Sequence, residues 1–113
     1  MGVIHTRLHM IDPLGYLEFN YLVERSKVVI TYSGDITEET TVYGIPCMTL
    51  RNNTECPKTI TLGTNELLGT NLKAIKPAME KLYSNQRKKV NIPELWDGKT
   101  SERIVDILLS LKL

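Results

Sequence analysis

The stretch VVITYSGDITEE, Val28 to Glu39, decides the fold class. Its Val-Val-Ile run is β-branched and uninterrupted, the pattern of a strand buried on both faces of a parallel sheet. Ser33-Gly34 breaks the strand, and Ile36 to Tyr43 reads as a short helix closed by Gly44, which tolerates left-handed backbone. A parallel strand that turns directly into a helix presents free backbone N–H groups at the positive end of the helix dipole. Such a turn is an anion site in principle. Ser33 adds a hydroxyl donor, and Gly34 lets a ligand approach the backbone. Asp35 stands in the mouth of this turn, where a carboxylate opposes an anion. Taken alone, the turn has a simpler account: Ser33 caps a helix, and Glu38 and Glu39 are solvated.

Outward from that stretch, breakers and apolar spacing divide the chain into alternating strands and helices. Arg7 to Ile11 reads as a strand ended by Asp12-Pro13. From Gly15 to Arg25, Tyr16, Phe19, Leu22 and Val23 recur at helical spacing and mark one apolar face. Pro46 suits the start of a strand over Cys47 to Leu50, Arg51 to Pro57 reads as a polar loop, and Asn65 to Leu68 as a fourth strand. Asn71 to Tyr83 is helical, with Leu72, Ile75, Met79 and Leu82 on one side and Pro77 marking a kink or the true start. Ser84 to Lys99 is mostly loop, and Thr100 is expected to cap a last helix reaching about Leu111. The order implies an α/β domain, a parallel sheet covered by helices on both faces.

The 113 residues suit one domain, 1–113, with 42% hydrophobic and 24% charged residues, close to the globular average. A net charge of +1 argues against a nucleic-acid binder, and the basic run Arg87-Lys88-Lys89 reads as a solvated loop. No apolar run suggests a secretory leader or a membrane span, so a cytoplasmic location is expected. Cys47 and Cys56 lack metal-ligand spacing and read as free thiols. His5 and His9 read as packed or exposed residues, and neither a metal nor a catalytic residue is expected.

Three segments together carry a resemblance: IDPLGYLEFNYLVERSKVVITYSGDITEETTVYGIP, RNNTECP and WDGKTSERIVDIL. They resemble the C-terminal half of the non-hydrolysing UDP-N-acetylglucosamine 2-epimerases, whose pattern is P-L-x-Y-x-x-F, D-S-G-G-x-x-E-E, a downstream G-x-P, R-D-x-T-E-R-P-E and D-G-K-x-S-E-R-I. The resemblance implies a Rossmann-like half of a GT-B architecture, with UDP-sugar held between two halves. It also implies interconversion of UDP-N-acetylglucosamine and UDP-N-acetylmannosamine by elimination and re-addition of UDP, in cell-surface polysaccharide synthesis and without a cofactor. Phe19 then matches the aromatic near uracil, Ser33 and Gly34 the diphosphate turn, and Glu39 the ribose-binding carboxylate.

Five positions depart from the pattern. Tyr32 replaces Asp, Asp35 the second Gly, Asn52 Asp, Cys56 the phosphate-contacting Arg, and Lys58 Glu. Asp35 is also placed to occupy the amides a phosphate would use. The resemblance implies that the family's acid and base carboxylates, and a histidine, lie in the N-terminal half and the segment just after it. The 113 residues are therefore expected to be inactive alone and to bind UDP or a UDP-sugar weakly. Alternatively, the chain is a noncatalytic Rossmann-like interaction module. Ile104, Val105, Ile107, Leu108, Leu109 and Leu111 cover most of the last helix, which points to a homodimer or to docking of the other half there.

Overall fold

A computed structural model describes residues 6–86 and 90–111. His5 and the run Arg87-Lys88-Lys89 lie outside the described residues. Within them the chain runs α1 (Tyr16–Glu24), β1 (Val29–Thr31), α2 (Ile36–Tyr43), β2 (Cys47–Thr49), α3 (Pro57–Thr61), β3 (Asn65–Leu67), α4 (Ile75–Tyr83) and α5 (Thr100–Ser110). The strands form one parallel sheet in the order β1-β2-β3, with Val29 opposite Cys47 and Cys47 opposite Asn65. This is the expected α/β, Rossmann-like arrangement. None of the described helices is long and apolar enough to cross a membrane.

Alternation along β2 sends its side chains to two differently built faces. Met48 meets Ala78 and Leu82 of α4, with Val28, Leu68 and Met79 packed around them. On the other face, the Cys47 thiol reaches the hydroxyls of Thr40 and Thr49, and burial, partly offset by these bonds, raises its pKa. Much of that second layer is threonine: Thr37, Thr40, Thr41, Thr49 and Thr59 are all buried. Their hydroxyls tolerate burial because they are bonded. Thr40 and Thr41 donate back to the Thr37 carbonyl at 3.1 and 2.9 Å, as threonines inside helices often do. Thr49 donates to Asn65 Oδ1, and Asn65 Nδ2 donates to Thr59 Oγ1 at 3.3 Å, so one amide ties β2, β3 and α3 together. α2 ends where expected, at Gly44, which takes φ +70° and ψ +20°.

Several sequence expectations change. Arg7 to Ile11 is irregular rather than a strand, because a strand forms only as part of a sheet ladder, and the ladders of this sheet join β1, β2 and β3. Among the described residues β1 is an edge strand, and Ile30 is 43% exposed. In α1 only Asn20 and Val23 are buried, while Tyr16, Phe19 and Leu22 face solvent. Pro57 ends the polar loop by starting α3, where proline suits the first helical position. The helix expected from Asn71 begins as a 3-10 turn, Leu72–Ala74, capped by the Asn71 side chain; Pro77 falls in the first turn of α4, where its missing N–H has no helical partner to lose.

Thr100 is the first residue of α5 and not its cap. The start of that helix is fixed by Asp97, which accepts the Lys99 amide at 3.0 Å and the Arg103 guanidinium at 3.0 and 3.1 Å. Arg103 also donates to the Leu95 carbonyl at 2.8 Å. Its hydrogen bonds hold the Asp97 carboxyl below the usual range. Beyond this anchor no residue of α5 is buried. The radius of gyration, 17.2 Å, exceeds the roughly 13 Å of a compact domain near this size.

Candidate functional site

At the carboxyl end of β1 the chain turns through Tyr32 to Asp35 and enters α2. Ser33 N donates to Thr31 Oγ1 at 2.9 Å, and the Gly34 carbonyl accepts both the amide and the hydroxyl of Thr37. Among the described residues, the amides of Gly34, Asp35 and Ile36 donate no hydrogen bond. Asp35 does not take them. It occupies the N-cap position in helical geometry, φ −67° and ψ −42°, and its side chain makes no capping bond. The expectation that this carboxylate blocks the amides is corrected. Its exposed charge remains beside them.

Arg51, just beyond β2, lies against the same turn. Its Nη1 is 3.5 Å from the point a Cβ on Gly34 would occupy. The ion pairs found among the described residues are Arg25–Glu24 and Arg103–Asp97, so the half-buried Arg51 guanidinium has no carboxylate partner there. The turn therefore combines three free amides, a helix dipole and an unpaired cation, all favourable to an anion.

From this turn a groove of about 660 Å³ extends between α1 and β1, lined by Phe19, Ser33, Asp35 and Glu39 together with Asn20, Val23 and Ile36. Phe19, 45% exposed, offers an apolar face at its rim. Glu39 is one of two groove residues with a buried, unpartnered side-chain oxygen, its Oε2; the other is Asn20 Oδ1. Buried polar atoms without partners are uncommon in folded proteins.

Four of the residues singled out in the sequence thus share one groove, with Gly34 at its turn. Tyr32, Asn52, Cys56 and Lys58 do not line it. Asn52 lies toward Gly69, with Oδ1 2.7 Å from the position of a Cβ there, and Lys58 is exposed on α3. Cys56 donates its thiol proton to Glu38 Oε1 at 2.8 Å, beside the first turn of α2. That hydrogen bond, then burial and the charges of Glu38 and Glu55, push its pKa up to about 11. The thiol is therefore protonated at neutral pH and is no nucleophile. His9 is exposed and lies outside the groove, and no cluster of three potential metal ligands occurs among the described residues.

Sequence reasoning missed Asn20 and Arg51. Arg51 was findable, since ligand sites on open parallel sheets gather at the carboxyl ends of adjacent strands. Asn20 gave less signal, because a polar residue among helical apolar positions reads as surface.

Comparison with known proteins follows the same lines. Residues 1–109 match the UDP-N-acetylglucosamine 2-epimerase family. A curated UDP-N-acetylglucosamine 2-epimerase of Methanocaldococcus jannaschii is 39% identical over 102 residues, covering 90% of this chain and 27% of that protein. The crystal structure of the M. jannaschii UDP-GlcNAc 2-epimerase in complex with UDP-GlcNAc and UDP superposes with a TM-score of 0.74 at 41% identity, over 88% of this chain and 27% of that one. The Neisseria meningitidis UDP-GlcNAc 2-epimerase bound to UDP-GlcNAc gives 0.79 at 31% identity, over 91% and 29%. The chain spans less than a third of the length of these relatives. With the fold, the order of motifs and a match along nearly its whole length in agreement, the chain belongs to the UDP-N-acetylglucosamine 2-epimerase family.

Proposed function

We propose that these 113 residues form the UDP-binding part of a UDP-GlcNAc 2-epimerase, from the C-terminal half of its GT-B architecture. The observation that carries this reading is the three free amides at the Ser33-Gly34 turn, with Arg51 beside them and Phe19 and Glu39 along the same groove. The diphosphate sits on the turn, Glu39 accepts ribose hydroxyls and Phe19 packs against uracil. Asp35 opposes the diphosphate, so binding is weak.

By themselves the 113 residues do not epimerise. The glycal route needs a base and an acid at the sugar and a site closed to water. The carboxylates lining this groove are Asp35 and Glu39, one at the phosphates and one at the ribose. Its rim, at Tyr16, Phe19 and Ile30, is open to solvent. Incubation with UDP-GlcNAc should give no UDP-ManNAc, and calorimetric titration with UDP should give a millimolar Kd. Turnover, or a Kd below about 100 μM, which exceeds the −4 kcal/mol of millimolar binding by more than 1 kcal/mol, contradicts this reading.

A second reading, an interaction module that pairs through α5, is favoured by the exposure of all of Ile104, Val105, Ile107, Leu108, Leu109 and Leu111, each at 51% or more. Sedimentation should then show a dimer at high micromolar concentration that Leu109→Glu converts to monomer. A monomer throughout removes this reading.

A further inference from the structure

Asn20 carries a feature that the diphosphate turn does not explain. It is 8% exposed, and its Oδ1 is buried with no hydrogen-bond partner. Asn20 and Val23 share the inward face of α1 at helical i,i+3 spacing, while Ile36 and Glu39 share a face of α2 at the same spacing. All four line the groove. Val23 and Ile36 side chains have no polar atom to offer, and two oxygens of the groove residues, Asn20 Oδ1 and Glu39 Oε2, are buried without a hydrogen-bond partner.

Both atoms are acceptors. An occupant that satisfies them together must bring two donors and no negative charge, because Glu39 is a carboxylate. A phosphate fails on both counts, and uracil has a single ring N–H donor. The vicinal hydroxyls of a ribose meet the requirement. The broad terminal torsion of asparagine lets the amide turn toward such a group without leaving its rotamer well.

We propose that Asn20 is a second ribose-reading residue of the nucleotide site, accepting one ribose hydroxyl while Glu39 accepts the other, and that it selects ribonucleotides over the corresponding deoxyribonucleotide. This rests on the reading of the groove as a UDP site.

The test is NMR titration of the 113-residue chain and of Asn20→Leu with UDP, 2′-deoxy-UDP and 3′-deoxy-UDP. Asn20→Leu should weaken UDP about tenfold, the effect of one lost hydrogen bond, while leaving one of the two deoxy analogues unchanged. In the unsubstituted chain, the Asn20 side-chain amide signals should move with UDP and stay still with that same analogue, a readout independent of whether the variant folds. Equal weakening of all three ligands, or no weakening and a silent Asn20 amide, overturns the proposal. If UDP perturbs the Gly34 and Ile36 amides while Asn20 stays silent, only this inference fails; if UDP perturbs neither, the nucleotide reading fails with it.

Discussion

Exchanging Asp35 for glycine and Cys56 for arginine together should tighten UDP binding about 100-fold. Two unit charges about 4 Å apart repel by about 1 kcal/mol in water and about 4 kcal/mol at a partly shielded surface. Asp35 is exposed, so the lower figure applies. An arginine on phosphate adds a charge-assisted hydrogen bond of about 1.5 to 3 kcal/mol. Its gain falls toward the low end here, because Glu38, now bonded to the Cys56 thiol, competes for the new guanidinium. Asp35→Asn alone isolates the charge and should give roughly a fivefold gain that shrinks with added salt, since the Debye length falls from about 10 Å at 0.1 M to about 3 Å at 1 M. Calorimetric titration of the three proteins with UDP checks this. If the double replacement leaves Kd unchanged, these two positions do not cause the weak binding.

Asn65→Leu should lower stability by about 3 kcal/mol, more than any surface change. Asn65 is fully buried and connects Thr49 on β2 to Thr59 on α3. Leucine keeps the branched side-chain skeleton but is bulkier, and it leaves both hydroxyls without that partner in a layer closed to water. Thermal unfolding followed by circular dichroism should show a Tm lower by roughly 15 °C, at about 5 °C per kcal/mol for a domain near this size. Thr59→Val, which removes only the terminal hydroxyl of the chain of bonds, should cost about 1 kcal/mol. A Tm loss under about 4 °C for Asn65→Leu would correspond to less than 1 kcal/mol and would show that the network contributes little.

How much the sequence revealed depended on whether its signal was local. β1, α2 and β2 were legible because a β-branched run, a Gly34 turn, a left-handed Gly44 and Pro46 punctuate the chain at each boundary. α3 was missed although Pro57 carried a start signal, because the preceding polar residues read as one long loop. Arg7 to Ile11 failed for another reason. Alternating apolar residues describe a strand, but pairing is a property of a distant neighbour, and the sheet edge at β1 likewise depends on what lies beside it. The apolar stripe of α1 located a helix correctly and said nothing about its cover.

The site divided in the same way. Ser33, Gly34 and Glu39 were readable from a short contiguous motif, and Phe19 from its place in the family pattern. The groove that joins them needs α1 laid against α2, which no single stretch encodes. Arg51 and Asn20 emerged only with that geometry, and Asp35 changed meaning with it: the residue leaves the turn amides free, with its exposed charge beside them.

The central claim is that one groove holds the two ends of a nucleoside diphosphate, phosphates at the Ser33-Gly34 turn and the nucleoside beside Phe19 and Glu39. Amide chemical shifts in separate titrations with inorganic pyrophosphate, uridine and UDP test it most directly. Pyrophosphate should move Gly34, Asp35 and Ile36 and spare Phe19, uridine should do the reverse, and UDP should move both sets with one saturation curve. Shifts from pyrophosphate that bypass the turn, or two sets that saturate with UDP at different concentrations, would contradict it.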